Sequence, residues 1–208
     1  PDRPVPALIL GVLASTLISG QISIDTSAGL LLFLVVPVIG FAVSRRMGPM
    51  FAIYALGIQL AAWGLVAFRN ELGLFWIIWL VAIVVVSDVF GYFAGRMIGG
   101  PKFWPRISPK KTWSGTIAGW VGAACLAFVF MIPSDMGPSL ILLSVLTCFA
   151  GQMGDIAESA LKRRVGVKDS SDLIPGHGGV LDRFDALLGA TLFMLGVMVV
   201  FHLTGLSL

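Results

Sequence analysis

The chain has 208 residues, of which 57% are apolar and only 12% charged, with a formal net charge of +3. A soluble globular domain carries about 25% charged residues, and the mean hydropathy here is +0.96, so hydrocarbon must cover much of the outside. This excludes an ordinary water-soluble domain. It also argues against nucleic acid as a partner, because the basic residues sit at the edges of apolar runs with no polar domain to present them. Cys125 and Cys148 lie in apolar runs without metal-ligand spacing and read as packing residues.

Crossing a ~30 Å hydrocarbon core takes about 20 mostly apolar helical residues. In chain order the candidates are residues 5–20, 28–44, 49–68, 73–98, 114–132, 138–164 and 179–204, separated by breakers such as Met47-Gly48-Pro49 and Pro133 to Pro138. The expected fold class is therefore all-α: a polytopic membrane protein of about seven transmembrane helices forming one domain over 1–208. Seven spans place successive loops on alternating sides. One side then collects thirteen of the fourteen basic residues, leaving only Arg69 on the other. The rich side is expected to be cytoplasmic, with the N-terminus inside.

Carboxylates within spans are expensive and mark function. Asp88 lies about 22 Å and Asp155 about 26 Å from the outer ends of their spans, at 1.5 Å per residue. Asp182 and Asp185 begin the last span, which runs outward. All four fall near the cytoplasmic edge, predicting a polar cavity open on that side. Asp155, Glu158, Ser159 and Lys162 share one helix face, as do Asp182 and Asp185. Hard oxygens facing each other, with Lys162 and Arg163 nearby, suit Mg²⁺ bridging phosphate oxygens. The competing reading is a buried ion-pair network joining the helices.

Two loops strengthen the functional reading. Residues 166–179 carry Lys168, Asp169, His177, Gly178 and Gly179 and lead into the last helix. Glycines let a backbone approach phosphate, and a helix N-terminus offers unpaired N–H groups to an anion. His177 could donate a hydrogen bond or move a proton. The second loop holds Arg106, Ser108, Lys110 and Lys111, beside Trp104 and Trp113. It reads as a clamp on nucleotide or lipid phosphates, or else as a simple anchor on anionic lipid. Gly91, Gly95 and Gly99 at four-residue spacing predict close helix packing.

The stretch from Ser159 through Lys162, Arg163, Lys168, Asp169, Pro175, His177, Gly178, Gly179, Asp182 and Arg183 to Asp185 resembles the signature of the phosphatidate cytidylyltransferases, also called CDP-diacylglycerol synthases. Its 27 residues match the fixed positions of that signature throughout. Ser108 to Gly115, Ser87 to Gly95 and Gly151 to Asp155 resemble further blocks of the same family. The resemblance covers roughly residues 80–190; the first 75 residues match only in being hydrophobic. Within the single domain, 1–75 are thus expected to be variable helices and 76–190 the catalytic core.

The resemblance implies CTP and phosphatidic acid as substrates, CDP-diacylglycerol and pyrophosphate as products, a polytopic fold, Mg²⁺ dependence and, as is often found in the family, a homodimer. Separately, the expected location is the cell (inner) membrane, multi-pass, with the site on the cytoplasmic side that the basic residues mark. Metal-binding carboxylates map onto Asp155 and Asp182, with a second or a monovalent cation as an option. The family's lysine-rich loop maps onto Lys110 and Lys111. Lys162 and His177 join the two carboxylates as expected catalytic groups. Ser108, Arg163, Lys168, Asp169, Gly178, Gly179, Arg183 and Asp88 complete the expected substrate contacts. The rival readings are a CTP-dependent polyprenol or phytol kinase and a cation transporter. The kinase would release CDP instead of pyrophosphate; the transporter would spread its carboxylates across the membrane.

Overall fold

Leu, Ile, Val, Ala and Phe dominate the apolar runs on every side, a composition that makes a helix sheathed in hydrocarbon. The computed structural model describes residues 4–24, 27–43, 47–134, 136–171 and 178–205. Its helices are α1 (Pro4–Ile24), α2 (Val35–Val43), α3 (Gly48–Leu72), α4 (Leu74–Met97), α5 (Trp113–Ser134), α6 (Ser139–Val165) and α7 (Leu181–Thr204). Among the described residues the five helices α3 to α7 are long and apolar enough to cross a membrane, and shorter apolar helical stretches cover Ile9–Gly20 and Leu31–Val43. The protein is an all-α polytopic membrane protein.

Two elements differ from the sequence reading. The run expected as a single span at 28–44 opens as a 3₁₀ helix, Ser27–Leu34, and becomes α-helical only from Val35. The basic loop before α5 is a β-hairpin: β1 (Lys102–Trp104) pairs antiparallel with β2 (Ser108–Thr112), in the register Lys102 to Thr112 and Trp104 to Ser108. Backbone pairing satisfies polar groups that an open loop would leave bare at the apolar boundary. The hairpin is tied down at its base. Trp113 N donates to Pro101 O at 3.1 Å, and Ser114 Oγ donates to Gly99 O at 2.5 Å.

The chain divides into two compact units, Pro1–Glu71 and Leu72–Leu208. In the first, Phe33, Val36, Ala61 and Phe68 are buried, and the Gln59 amide donates to Phe33 O at 3.3 Å. In the second, α4 packs on α5, α5 on α6 and α6 on α7, and α4 also meets α6 and α7, which closes a four-helix bundle. Trp79, Leu80 and Ile83 of α4, Ala123 and Ala127 of α5, Leu140 and Cys148 of α6, and Ala190 and Met194 of α7 form its interior. Trp79 Nε1 donates to Ser144 Oγ at 3.1 Å, so even the largest buried ring has its polar atom satisfied.

Small residues set how near the helices come. A Cβ on Gly115 would lie 2.6 Å from Gly91 O, and one on Gly95 would lie 2.9 Å from Thr112 Oγ1. Gly91 and Gly95 thus serve the close packing expected of them. Gly99 does not: it has no neighbour within 4 Å and takes φ +64° in the turn after α4. Within the four-helix bundle the tightest approach joins α6 to α7, where a Cβ on Gly154 would lie 2.5 Å from Asp185 O and one on Gly189 2.5 Å from Ala150 O. Replacing Gly154 with Ala should therefore force the two backbones apart. We expect a loss of about 1–3 kcal/mol, the usual range for overpacking, measured by SDS-titration unfolding in mixed micelles.

Candidate active site

Because α4 to α7 run alternately, the end of α4, the hairpin, the start of α5, the end of α6 and the start of α7 gather at one end of the bundle. Nearly all the charge of the second unit is there. A cavity of about 390 Å³ opens between α4, the hairpin, α5 and α6. Asp88 and Arg96 of α4, Ser108, Lys110 and Lys111 of β2, and Asp155 of α6 all line it, with Gly91, Gly95 and Gly115 forming a side-chain-free wall. Of the residues expected to bind substrate or metal, Asp88, Ser108, Lys110, Lys111 and Asp155 are brought together here.

Lys111 fixes the floor. Its Nζ donates to Asp155 Oδ2 at 2.7 Å and to Gln152 O at 3.3 Å. The other Asp155 oxygen has only a long contact, 3.4 Å, from Ser159 Oγ. Gln152 is the buried hub beneath them. Its amide nitrogen donates to Ser87 Oγ of α4 and to Thr116 O of α5, each at 3.2 Å, and its amide oxygen accepts from Trp120 Nε1 at 2.9 Å. A fully satisfied amide at the meeting point of three helices fixes their register. It thereby fixes where Asp88, next to Ser87, and Asp155, one turn along α6, can stand.

A second cluster lies one turn further along α6. Lys162 Nζ donates to Glu158 Oε2 and to Asp182 Oδ1, both at 2.6 Å, and so bridges α6 to α7. The Glu158 side chain is only 3% exposed and that of Asp182 9%. Asp182 Oδ2 accepts from Ser170 N at 2.8 Å, Ser170 Oγ at 2.8 Å and Gly179 N at 2.7 Å. One carboxylate thus gathers both ends of the glycine-rich loop and the first turn of α7, where an acid also faces the positive end of the helix dipole. The glycines are needed there. Gly178 takes φ +80°, and a Cβ on Gly179 would collide with Ser170 Oγ.

The two clusters meet through Asp185, which has both Asp155 and Glu158 within electrostatic reach, while Asp88 lies within reach of Asp155 and Lys111. Among the described residues five carboxylates thereby share two committed lysines. Glu158 Oε1 is buried and has no hydrogen-bond partner among them. Arg163, Lys168 and Asp169 are exposed around the end of α6, as is Arg183 on α7; Arg163 and Lys168 form no ion pair among the described residues. His177 lies outside the described residues. Gln152, Tyr92 and Arg96 stand in these clusters although the sequence reading did not place them among the site residues, and Glu158 and Asp185, read there as facing carboxylates, were given no role. For Glu158 and Gln152 the available signal was their spacing from Asp155, three residues on either side.

The donor set suits a hard cation. It consists of carboxylate oxygens, carries an excess of negative charge and leaves one buried oxygen orphaned. No three acidic, His or Cys side chains converge as a protein-only metal cage among the described residues. This is compatible with Mg²⁺, which is held by one or two carboxylates and completes its shell with phosphate oxygens and water.

The Lys162 bridge makes a measurable claim. Replacing Lys162 with Met leaves Glu158 and Asp182 buried without their cation and should cost about 3–5 kcal/mol. The double variant Lys162→Met with Glu158→Gln should lose less than the sum of the two single changes, as SDS-titration unfolding would report.

Comparison with known proteins gives the chain's relatives. The sequence model of the Cytidylyltransferase family matches residues 5–201. Among curated relatives, a phosphatidate cytidylyltransferase of Brucella abortus is 39% identical over 159 residues, 74% of this chain and 59% of the relative. One from Haemophilus influenzae is 45% identical over 128 residues, 58% of this chain and 44% of the relative. One from Bacillus subtilis is 40% identical over 135 residues, 64% of this chain and 50% of the relative. The chain thus spans between 44% and 59% of the length of these relatives.

Proposed function

The chain belongs to the cytidylyltransferase family, and on that premise we propose that it carries the catalytic region of a phosphatidate cytidylyltransferase. The reaction is cytidylyl transfer from CTP to phosphatidic acid, giving CDP-diacylglycerol and pyrophosphate. The observation that carries this reading is the continuous run of carboxylates and lysines from Asp88 through Asp155 to Asp182. It stands between a basic cavity and a glycine-rich loop, in a family whose curated relatives bear that enzyme's name.

In this reading a phosphatidate oxygen attacks the α-phosphorus of CTP, the new P–O bond forms, and the bond to the β-phosphate oxygen breaks to release pyrophosphate. A phosphate dianion is already nucleophilic, so the protein need not supply a strong base. Its contribution is positioning and charge neutralisation. Lys111 keeps Asp155 in place, while Lys110 holds phosphate oxygens from the hairpin, with Ser108 beside it. Arg163, Lys168 and Arg183 do so from the α6–α7 end, where Gly178 and Gly179 leave room for the backbone to approach. Lys162, committed to Glu158 and Asp182, keeps the loop in place. His177 is assigned to the same loop as a hydrogen-bond donor.

Asp155 and Asp182 are the proposed Mg²⁺ ligands. Asp155 has an oxygen held only by the long Ser159 contact, and Asp182 has Oδ1, on which Lys162 is the donor. When bound, the ion would neutralise and align phosphate oxygens. The proposed setting is the cytoplasmic face of the cell membrane, supported by the gathering of thirteen basic residues on one predicted side.

Replacing Asp155 with Asn keeps the size of the side chain but removes its charge. It should lower CDP-lipid formation from CTP and phosphatidic acid at least a hundredfold, with pyrophosphate release falling in parallel. Chelating Mg²⁺ should abolish turnover of the unaltered chain, and adding the ion back should restore it. Near-normal turnover of the Asn variant would reject the metal assignment. Release of CDP in place of pyrophosphate would reject the reaction.

A further inference from the structure

Of the described basic residues around the site, two lysines are already committed, and cations that form no ion pair stand both in the hairpin cavity and at the α6–α7 end. Lys111 is spent on Asp155 and Gln152, and Lys162 on Glu158 and Asp182. In the hairpin cavity two cations remain. Among the described residues Arg96 donates only to the Tyr92 hydroxyl, at 2.8 Å, and Lys110 has no ion-pair partner. At the α6–α7 end Arg163, Arg164 and Lys168 form no ion pair among the described residues. Two substrates that both carry phosphate therefore have two sets of cations to choose between.

The surface of α4 distinguishes the two. Asp88, Tyr92 and Arg96 follow each other at four-residue spacing and line the cavity. Val85, Val89, Phe93 and Met97 form the neighbouring row, about 100° round the helix, and all four are exposed. One helix therefore presents a phosphate-binding row and a hydrocarbon-facing row side by side. Trp104 on the hairpin and Trp113 at the start of α5 are exposed beside them. Exposed Trp at the end of an apolar helix is the usual mark of the lipid headgroup level.

Charge points the same way. A phosphate monoester carries about −1.5 to −2 at neutral pH, which Arg96 and Lys110 match. Arg96 adds a planar fork suited to two phosphate oxygens at once. A nucleoside triphosphate carries more charge and has no acyl chains to lay along Val85, Val89 and Phe93.

We infer that the hairpin cavity is the phosphatidate site, with Arg96 and Lys110 on the lipid phosphate and the acyl chains along the outer row of α4, and that CTP occupies the α6–α7 end. This rests on the function proposed above and goes further by giving each substrate its own place.

The test uses the full chain in mixed micelles, varying the mole fraction of phosphatidic acid and the concentration of CTP separately. Arg96→Ala and Lys110→Ala should each raise the half-saturating phosphatidate fraction about tenfold or more, the effect of losing one charge-assisted hydrogen bond. Each should move the KM for CTP less than about twofold. Arg96→Lys, which keeps the charge and loses the fork, should fall between.

A second measurement needs no turnover. A phosphatidic acid with a diazirine near the start of one acyl chain should label residues 85–97, and excess CTP should not protect them. Label on α6 or α7 instead, or a rise in the CTP KM with phosphatidate saturation unchanged, would overturn the assignment and make the cavity the nucleotide's site. An unaltered chain that makes no CDP-lipid but labels on α4 would sink the proposed reaction while leaving the lipid site standing.

Discussion

Everything at the charged end of this bundle depends on ammonium groups paired with carboxylates that cannot be left alone beside hydrocarbon. An ionised acid in a span is tolerated only with a partner or a route to water. Lys162 supplies the decisive pairing. It lies between Glu158 on its own helix and Asp182 on the next, so the ends of α6 and α7 that bear them cannot separate without exposing two buried charges. Asp182 then carries the constraint outward, since its other oxygen gathers Ser170 and Gly179. The glycine-rich loop is held by the same charges that join the helices.

The hairpin side is built differently. Lys111 reaches Asp155 from β2, so its placement depends on the strand and on how the strand is fastened to the ends of α4 and α5. Gln152 makes that fastening specific by bonding to α4 and α5 from α6. The result is a cavity with a rigid floor and a glycine wall, in which Arg96 and Lys110 remain available. Separating committed from uncommitted cations is what turns a cluster of charges into a binding site. The committed lysines hold the architecture; the others are left for a ligand.

Close packing by small residues makes both clusters possible. Gly91 against Gly115, and Gly154 against Gly189, bring backbones near enough for short side chains such as Asp to span the gap. Larger residues at Gly154 and Gly189 would push α6 from α7 and stretch the 2.6 Å contact between Lys162 and Asp182. In this fold the glycines of the helices and the acids of the site form one design.

Composition and helical period by themselves determined the all-α membrane architecture. Runs of about 20 apolar residues have few stable alternatives to a helix in lipid. The same reasoning put Asp88, Asp155 and Asp182 at one end of the bundle, because alternating spans and a fixed rise per residue leave little freedom of depth. The sequence read the glycines before α7 as room for a phosphate, whereas the structure gives Gly178 a positive φ and leaves Gly179 no room for a side chain.

What tertiary structure alone decided is which charge meets which. Spacing places Lys162 on the same face as Asp155 and Glu158, yet only the approach of α7 makes it a bridge to Asp182 in place of a free phosphate contact. Lys110 and Lys111 are neighbours of one type, and only the hairpin's pleat commits one to Asp155 and leaves the other open. The spacing of Gln152 from Asp155 gave its face but not its partners, and Arg96 gave no signal of its own. These roles come from residues tens of positions away, or from a cavity that exists only once α4, α5, α6 and the hairpin have packed. Local periodicity follows from geometry within one segment, whereas a partner across the bundle is chosen by distances that no single segment contains.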